Sequence, residues 1–182
     1  MNNDIEHKFY SNEGQLISVR PMTAEDAPLL VNLFEHMGPN SRYLRFNLAL
    51  TDPDPELVWE EARRMADVDA DKDGAWLAFT DLPGQRDAPI AAVRYARLDP
   101  VTAEAALAVR DDMQNKGIGS GLLLFLVDRA QDAGILRFVA TIQRANQALL
   151  HILNESPLKV SYESEGSIIT IVAEITDPTP IS

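Results

Sequence analysis

Three glycines fall within five positions, Gly117, Gly119 and Gly121, in the stretch VRDDMQNKGIGSGLL. Glycines spaced this way let consecutive backbone N–H groups converge on one anion, and the positive end of a following helix adds to the attraction. Two common phosphate-binding patterns fail here. A P-loop needs a lysine followed by serine or threonine after its second glycine, and no such pair follows any glycine. A dinucleotide fingerprint needs GxGxxG, and Leu122 stands where its third glycine belongs. What remains is Gln114, Gly117 and Gly119 in a QxxGxG pattern after a predicted strand and opening a predicted helix, with Lys116 as an added point charge. The competing explanation is structural, because glycine also permits close helix–strand packing. Upstream, Glu104 starts the strand that runs into this loop and shares a strand face with Ala106 and Ala108.

The rest of the chain narrows the chemistry. At 182 residues it suits one domain with a substantial core, and 46% apolar with 24% charged residues is ordinary for a globular protein. With no cysteine, disulfides, thiolate metal sites and cysteine nucleophiles are excluded. His7, His36 and His151 are scattered without ligand spacing, so no metal is expected. A net charge of −12 argues against nucleic-acid and anionic-membrane partners. It suits solubility, or attraction of a basic partner such as an exposed lysine segment. The opening MNNDIEHKFYSNEG lacks a basic start and an apolar stretch, and no run reaches membrane-span length, so a cytoplasmic location is expected.

The elements that must position the loop follow from periodicity. Gln15–Arg20 alternates as a strand. Thr23 with Asp26 has the form of a capping box ahead of a helix carrying Leu29, Leu30, Leu33, Phe34 and Met37. Gly38-Pro39 ends that helix, Ser41 caps a short helix through SRYLRF, and Asp54-Pro55 opens a third. Strands are predicted over Ala75–Thr80 and Ile90–Arg97, around a loop LPGQRDAP, and over Ala103–Arg110. A helix over Leu122–Ala133, a strand over Ile135–Ile142 and a helix over Gln147–Asn154 follow. A hairpin turning at Glu165-Gly166 comes last, and the tail TDPTPIS is expected to fray. The order implies an α+β fold with a mixed sheet. One domain is expected over residues 15–176, with an extension before it (1–14) and a tail after it (177–182).

The stretch AEAALAVRDDMQNKGIGSGLL, with the strand at Ile135–Ile142 and Asn146 opening the next helix, resembles the core of the GNAT N-acetyltransferase superfamily. Gln114, Gly117 and Gly119 fill that family's [QR]xxGx[GA] motif. VRPMTAEDAPLLVNLFEHMGPNSRYLRF and VRDDMQ resemble the branch of bacterial protein-lysine acetyltransferases that modify acetyl-CoA synthetase. The resemblance spans about residues 19–175. It implies a mixed, mostly antiparallel sheet flanked by helices, and acetyl-CoA as co-substrate. It implies that Gln114, Asn115, Lys116, Gly117, Ile118, Gly119 and Ser120 hold the pyrophosphate. The pantetheine arm would lie along the backbone of Leu107, Ala108 and Val109, and Asn146 would touch it, or else simply cap a helix. The implied acceptor is an amine such as a lysine on an acyl-CoA synthetase, and the chain would act as a monomer or homodimer.

An amine with pKa ~10.4 is mostly protonated near neutrality, so attack on a thioester needs a route for its proton. In the resembled branch a glutamate seven residues before the first Asp of the RDD stretch is the base, and Glu104 holds that place relative to Asp111. Its alanine neighbours leave room for an acyl group and are expected to desolvate it partly; a solvated strand end is the alternative. Two departures stand against the broader family. Leu153 occupies the position of a common tyrosine acid, and Pro157-Leu158 replaces a Gly-aromatic pair. A thiolate (pKa ~8.5 by analogy with cysteine) leaves with little acid help, so an enzyme remains the reading. The alternatives are a catalytically silent acyl-CoA sensor and a small-molecule amine acetyltransferase. Tyr95 and Tyr162 are expected to pack in the sheet. Arg42 or Tyr43 either touches substrate or makes a fold-stabilising ion pair.

Overall fold

The computed structural model describes residues 5–175. Within them an eight-stranded sheet runs in the order β1-β2-β3-β4-β5-β6-β8-β7. Strands β1 (His7–Tyr10) and β2 (Leu16–Pro21) precede helices α1 (Ala27–Glu35), α2 (Pro39–Phe46) and α3 (Pro55–Ala66). The sheet continues through β3 (Gly74–Leu82), β4 (Gln85–Asp99) and β5 (Thr102–Val109). Helix α4 (Ile118–Asp132), β6 (Arg137–Gln143), α5 (Gln147–Asn154), β7 (Lys159–Glu165) and β8 (Ile168–Glu174) complete it. Every neighbouring pair is antiparallel except β5 with β6. The α+β mixed-sheet expectation is met. No described helix is long and apolar enough to cross a membrane.

Two apolar clusters cover the two faces. Ile90, Val93, Leu122, Leu126 and Phe138 belong to one, with α4 over β4 and β5. Leu30, Val31, Ala62, Ala66, Leu77 and Phe79 belong to the other, where α1 and α3 cover β3 and β4. The entry to α1 is pinned electrostatically. Asp26 accepts the Thr23 amide and hydroxyl, and Arg20 reaches it through two hydrogen bonds of 2.7 and 2.8 Å, all largely buried.

Several boundaries differ from expectation for local reasons. Residues His7–Tyr10, read as an extension, pair with Leu16–Val19 and form the edge of the sheet. Four residues are too few for a periodic signal, and the Gly14 turn (φ +79°) supplies the hairpin. LPGQRDAP is mostly strand, with Leu82 opposite Gln85 across a tight turn. Gly38, not Ser41, precedes α2; Pro39 sits in its first turn, where a missing N–H costs nothing. The fraying expected from Thr176 onward lies outside the described residues.

Candidate active site

Strands β5 and β6 are joined by three register pairs only, Thr102–Arg137, Ala103–Phe138 and Glu104–Val139. Beyond Glu104 they part, so β5 from Ala105 to Val109 has β4 along one edge and no strand along the other. Leu107, Ala108 and Val109 lie on this open stretch. Unpaired strand edges are ready partners for a chain carrying amide groups. Across the opening runs the end of α2, where Asn47 is held at φ +55°. Its side chain donates to the Thr141 carbonyl at 3.3 Å and accepts from Gln143 at 3.1 Å, tying α2 to β6.

The open edge leads into the glycine loop. Gln114 donates to the Val109 carbonyl at 3.0 Å and to Asp111 at 3.3 Å, so it braces the loop from within. Asn115 (φ +60°) and Gly117 (φ +77°) both take the left-handed conformation, and α4 begins at Ile118. No amide from Asn115 through Ser120 donates to a protein acceptor among the described residues. Six consecutive free donors at the start of a fifteen-residue helix fit a diphosphate.

The glycines themselves answer to protein neighbours. A Cβ on Gly117 would lie 2.5 Å from Asn12 Oδ1, on Gly119 2.8 Å from Ile152 Cδ1, and on Gly121 2.4 Å from Phe9 Cε2. Gly119 thus faces the end of the Ile152 side chain, where α5 packs on α4. Close packing, the alternative raised for the glycines, is present at that position. Lys116 is not a free charge either: its Nζ lies 2.7 Å from Glu13 Oε2. Asn146 caps α5, its side chain accepting the Leu149 amide at 3.2 Å.

Glu104, Ala106 and Ala108 share a sheet face with Ala96, Arg94 and Ala92, their partners on β4. Four of these, Ala92, Arg94, Ala106 and Ala108, floor a cavity of about 650 Å³. Its walls come from α1, α2 and α3 and are mostly apolar, including Leu33, Phe34, Phe46, Leu57 and Met65. Glu104 stands just beyond this floor and is exposed, contrary to the desolvation expected. Methyl groups cannot cover a carboxylate, and β6 turns away just past it. Arg45 and Arg94 also face the cavity. Burial lowers the Arg45 pKa from its ordinary value, Arg94 lowers it further, and the Glu104 and Glu61 carboxylates oppose both.

Leu153 is buried in the core and Tyr95 packs on Trp76, ring centroids 5.9 Å apart, with its phenol pKa raised chiefly by burial. Tyr162 is exposed and bonds Asn154 at 2.7 Å. Arg42 donates to the Phe34 and Leu50 carbonyls and lies over the Phe34 ring, so it secures the end of α1 through carbonyls and no carboxylate. Sequence reasoning missed Phe9, Asn12 and Glu13, because contacts between a terminal hairpin and α4 have no local pattern.

An acetyltransferase (GNAT) family model matches residues 42–154, more than half of the chain. The protein belongs to the GNAT acetyltransferase family. It is 25% identical over 140 residues to the acetyltransferase PA5475 of Pseudomonas aeruginosa, covering 76% of this chain and 72% of that one. It is 27% identical over 157 residues to the L-amino acid N-acyltransferase MnaT of Escherichia coli, covering 85% and 81%. Among solved structures it superposes on the GNAT domain of S. lividans PAT with a TM-score of 0.79 at 24% identity, covering 92% of this chain and 96% of that one. A putative acetyltransferase from Salmonella typhimurium, solved with its cofactor acetyl-CoA, superposes with a TM-score of 0.60 at 17% identity, covering 91% and 96%. As a member of this family the chain is an acetyl-CoA-dependent N-acyltransferase.

Proposed function

We propose that Glu104 takes the proton from an amine that enters through the α1–α3 cavity, and that the acceptor is a protein lysine side chain. The observation that carries this reading is the place of Glu104. It is the last paired residue before β5 and β6 part, on the same face as the cavity floor. In this reading the donor is acetyl-CoA, its diphosphate held by the amides from Asn115 to Ser120 and its arm by the open edge of β5 at Leu107–Val109. Both features are donor and acceptor sets of the kind those groups need, and family membership supports the assignment. A thioester bound along the open edge of β5 would supply an electrophilic carbonyl where β5 and β6 part. Glu104 would take the amine's proton as the nitrogen attacks that carbonyl carbon, with backbone N–H groups of β5 stabilising charge on the oxygen. The C–S bond then breaks and CoA leaves as the thiolate, which takes up a proton from solvent or from Glu104. The apolar walls would shield the methylene chain of a lysine, and the net charge of −12 favours a basic protein surface such as that around a reactive lysine of an acyl-CoA synthetase.

A compact amine is the second reading, and the cavity favours it. A volume of about 650 Å³ falls in the range of small-molecule pockets, well beyond one lysine side chain. The MnaT relative, named an L-amino acid N-acyltransferase, points the same way. Labelled acetyl-CoA with an acyl-CoA synthetase in one arm and an amine and amino-acid panel in the other separates the two by mass spectrometry. Label on synthetase lysines, lost in Glu104→Gln, is the expected result. Label confined to the small-molecule arm would overturn the protein-lysine assignment, and acceptor-independent CoA release in both would overturn amine transfer.

A further inference from the structure

We propose that the turn joining β1 to β2 is a positioning device for the donor's phosphate loop, and that Glu13 sets the loop's grip on phosphate by competing for Lys116. This rests on the reading that Asn115–Ser120 hold a diphosphate.

Asn12 and Glu13 of the turn touch the loop, and Phe9 at the end of β1 packs on the first turn of α4. Phe9 fills the space over Gly121, and Asn12 fills the space over Gly117. The Asn12 amide donates to the Lys116 carbonyl at 2.9 Å. Glu13 Oε2 then holds Lys116 Nζ at 2.7 Å. The turn is itself fixed. Ser11 is buried, its Oγ accepts from the amides of Glu13 and Gln15, and its own amide donates to the Gln15 carbonyl. A braced turn seated against Gly117 holds that residue at φ +77°, the conformation that starts α4 and aims the loop amides.

Glu13 works against anion binding in two ways. It occupies the one cation in the loop, and it places a carboxylate beside the amides that would meet phosphate. Both atoms remain reachable by solvent, Lys116 at 24% and Glu13 at 58% side-chain exposure, so the pair can exchange partners. Lys116 has three N–H donors, but an incoming diphosphate meets its charge unopposed only once Glu13 has moved aside. Donor affinity is thereby held down, as an enzyme that releases its product with each turnover requires.

The test is a double-mutant cycle on the full-length protein, with acetyl-CoA affinity read by calorimetry. Glu13→Gln is expected to tighten acetyl-CoA binding roughly three- to fivefold at low salt, near the upper range for an exposed pair. The gain should fall as salt rises. It should vanish when Lys116→Ala is added, so that the double variant binds no more tightly than Lys116→Ala alone. In steady-state kinetics the change should fall on the KM for acetyl-CoA and not on that of the acceptor. Unchanged affinity in Glu13→Gln would overturn the competition, and so would a gain that persists without Lys116, since that would be simple loss of negative charge. Wild-type protein that binds no acetyl-CoA would instead overturn the loop assignment itself, which keeps the two failures distinct.

Discussion

Glu104 stands opposite Val139 at the last rung joining β5 to β6, and one residue further on the two strands no longer pair. The candidate base and the proposed donor opening are therefore set by the same register. If Glu104 carries the proton, Glu104→Gln should lower turnover by about 10²–10⁴-fold with acetyl-CoA affinity little altered. Calorimetry beside steady-state rates checks both halves. Equal rates would reduce Glu104 to a solvated strand end.

The alanine floor yields a second expectation. Ala92 lies on β4, one strand removed from the open edge of β5, and lines the cavity. Ala92→Leu should raise the acceptor KM by roughly tenfold, about 1.4 kcal/mol, because it fills space the acceptor needs. Acetyl-CoA affinity should stay within about twofold, a difference of about 0.4 kcal/mol. A parallel loss of both would mean the cavity and the donor edge are one site.

Close packing at the glycines predicts stability effects. At Gly121 a Cβ would meet the Phe9 ring at 2.4 Å, so Gly121→Ala should destabilise by about 1–3 kcal/mol through overpacking. Trimming the ring, as in Phe9→Leu, should return part of that loss in the double variant. Chemical denaturation measures it. Additive losses would show that the two residues do not interact.

Asp26 governs behaviour in acid. Burial raises its pKa, but hydrogen bonds from Arg20 and Thr23 and the Arg20 charge outweigh that and leave it below the ordinary carboxylate value. A carboxyl whose pKa is lowered by folding adds stability that is fully present above its unfolded pKa, near ~3.9, and is lost as pH falls through the folded value. Asp26→Asn should cost about 3–5 kcal/mol near neutrality by leaving Arg20 buried without its partner. It should also flatten the acid limb of stability below about pH 4. An acid limb of the same steepness in Asp26→Asn would assign that limb to other carboxylates.

The sheet and the loop were largely legible in the sequence. Alternation in Ala103–Arg110 and the helical spacing after Gly121 placed β5 and α4 within a few residues, since both bury one face against the core. The three-rung junction and the cavity were not legible. Ala92, Arg94, Ala106 and Ala108 meet only through strand pairing, and Ile152 meets Gly119 only through packing of α5 on α4. Composition likewise could not show that Lys116 has a partner in Glu13, 103 positions away. Local periodicity encodes which face is buried, while long-range pairing decides what that face meets.

Asn47 ends α2 and ties it to β6, donating to Thr141 and accepting from Gln143. Mechanically it is a strut. The sheet halves meet along a seam only three rungs long, and a seam that short is a hinge as readily as a joint. The strut ties α2 to the β6 side of that seam. Because the strut grows from the end of α2, which also walls the cavity, displacing α2 would pull on β6 and reshape the cavity in a single movement.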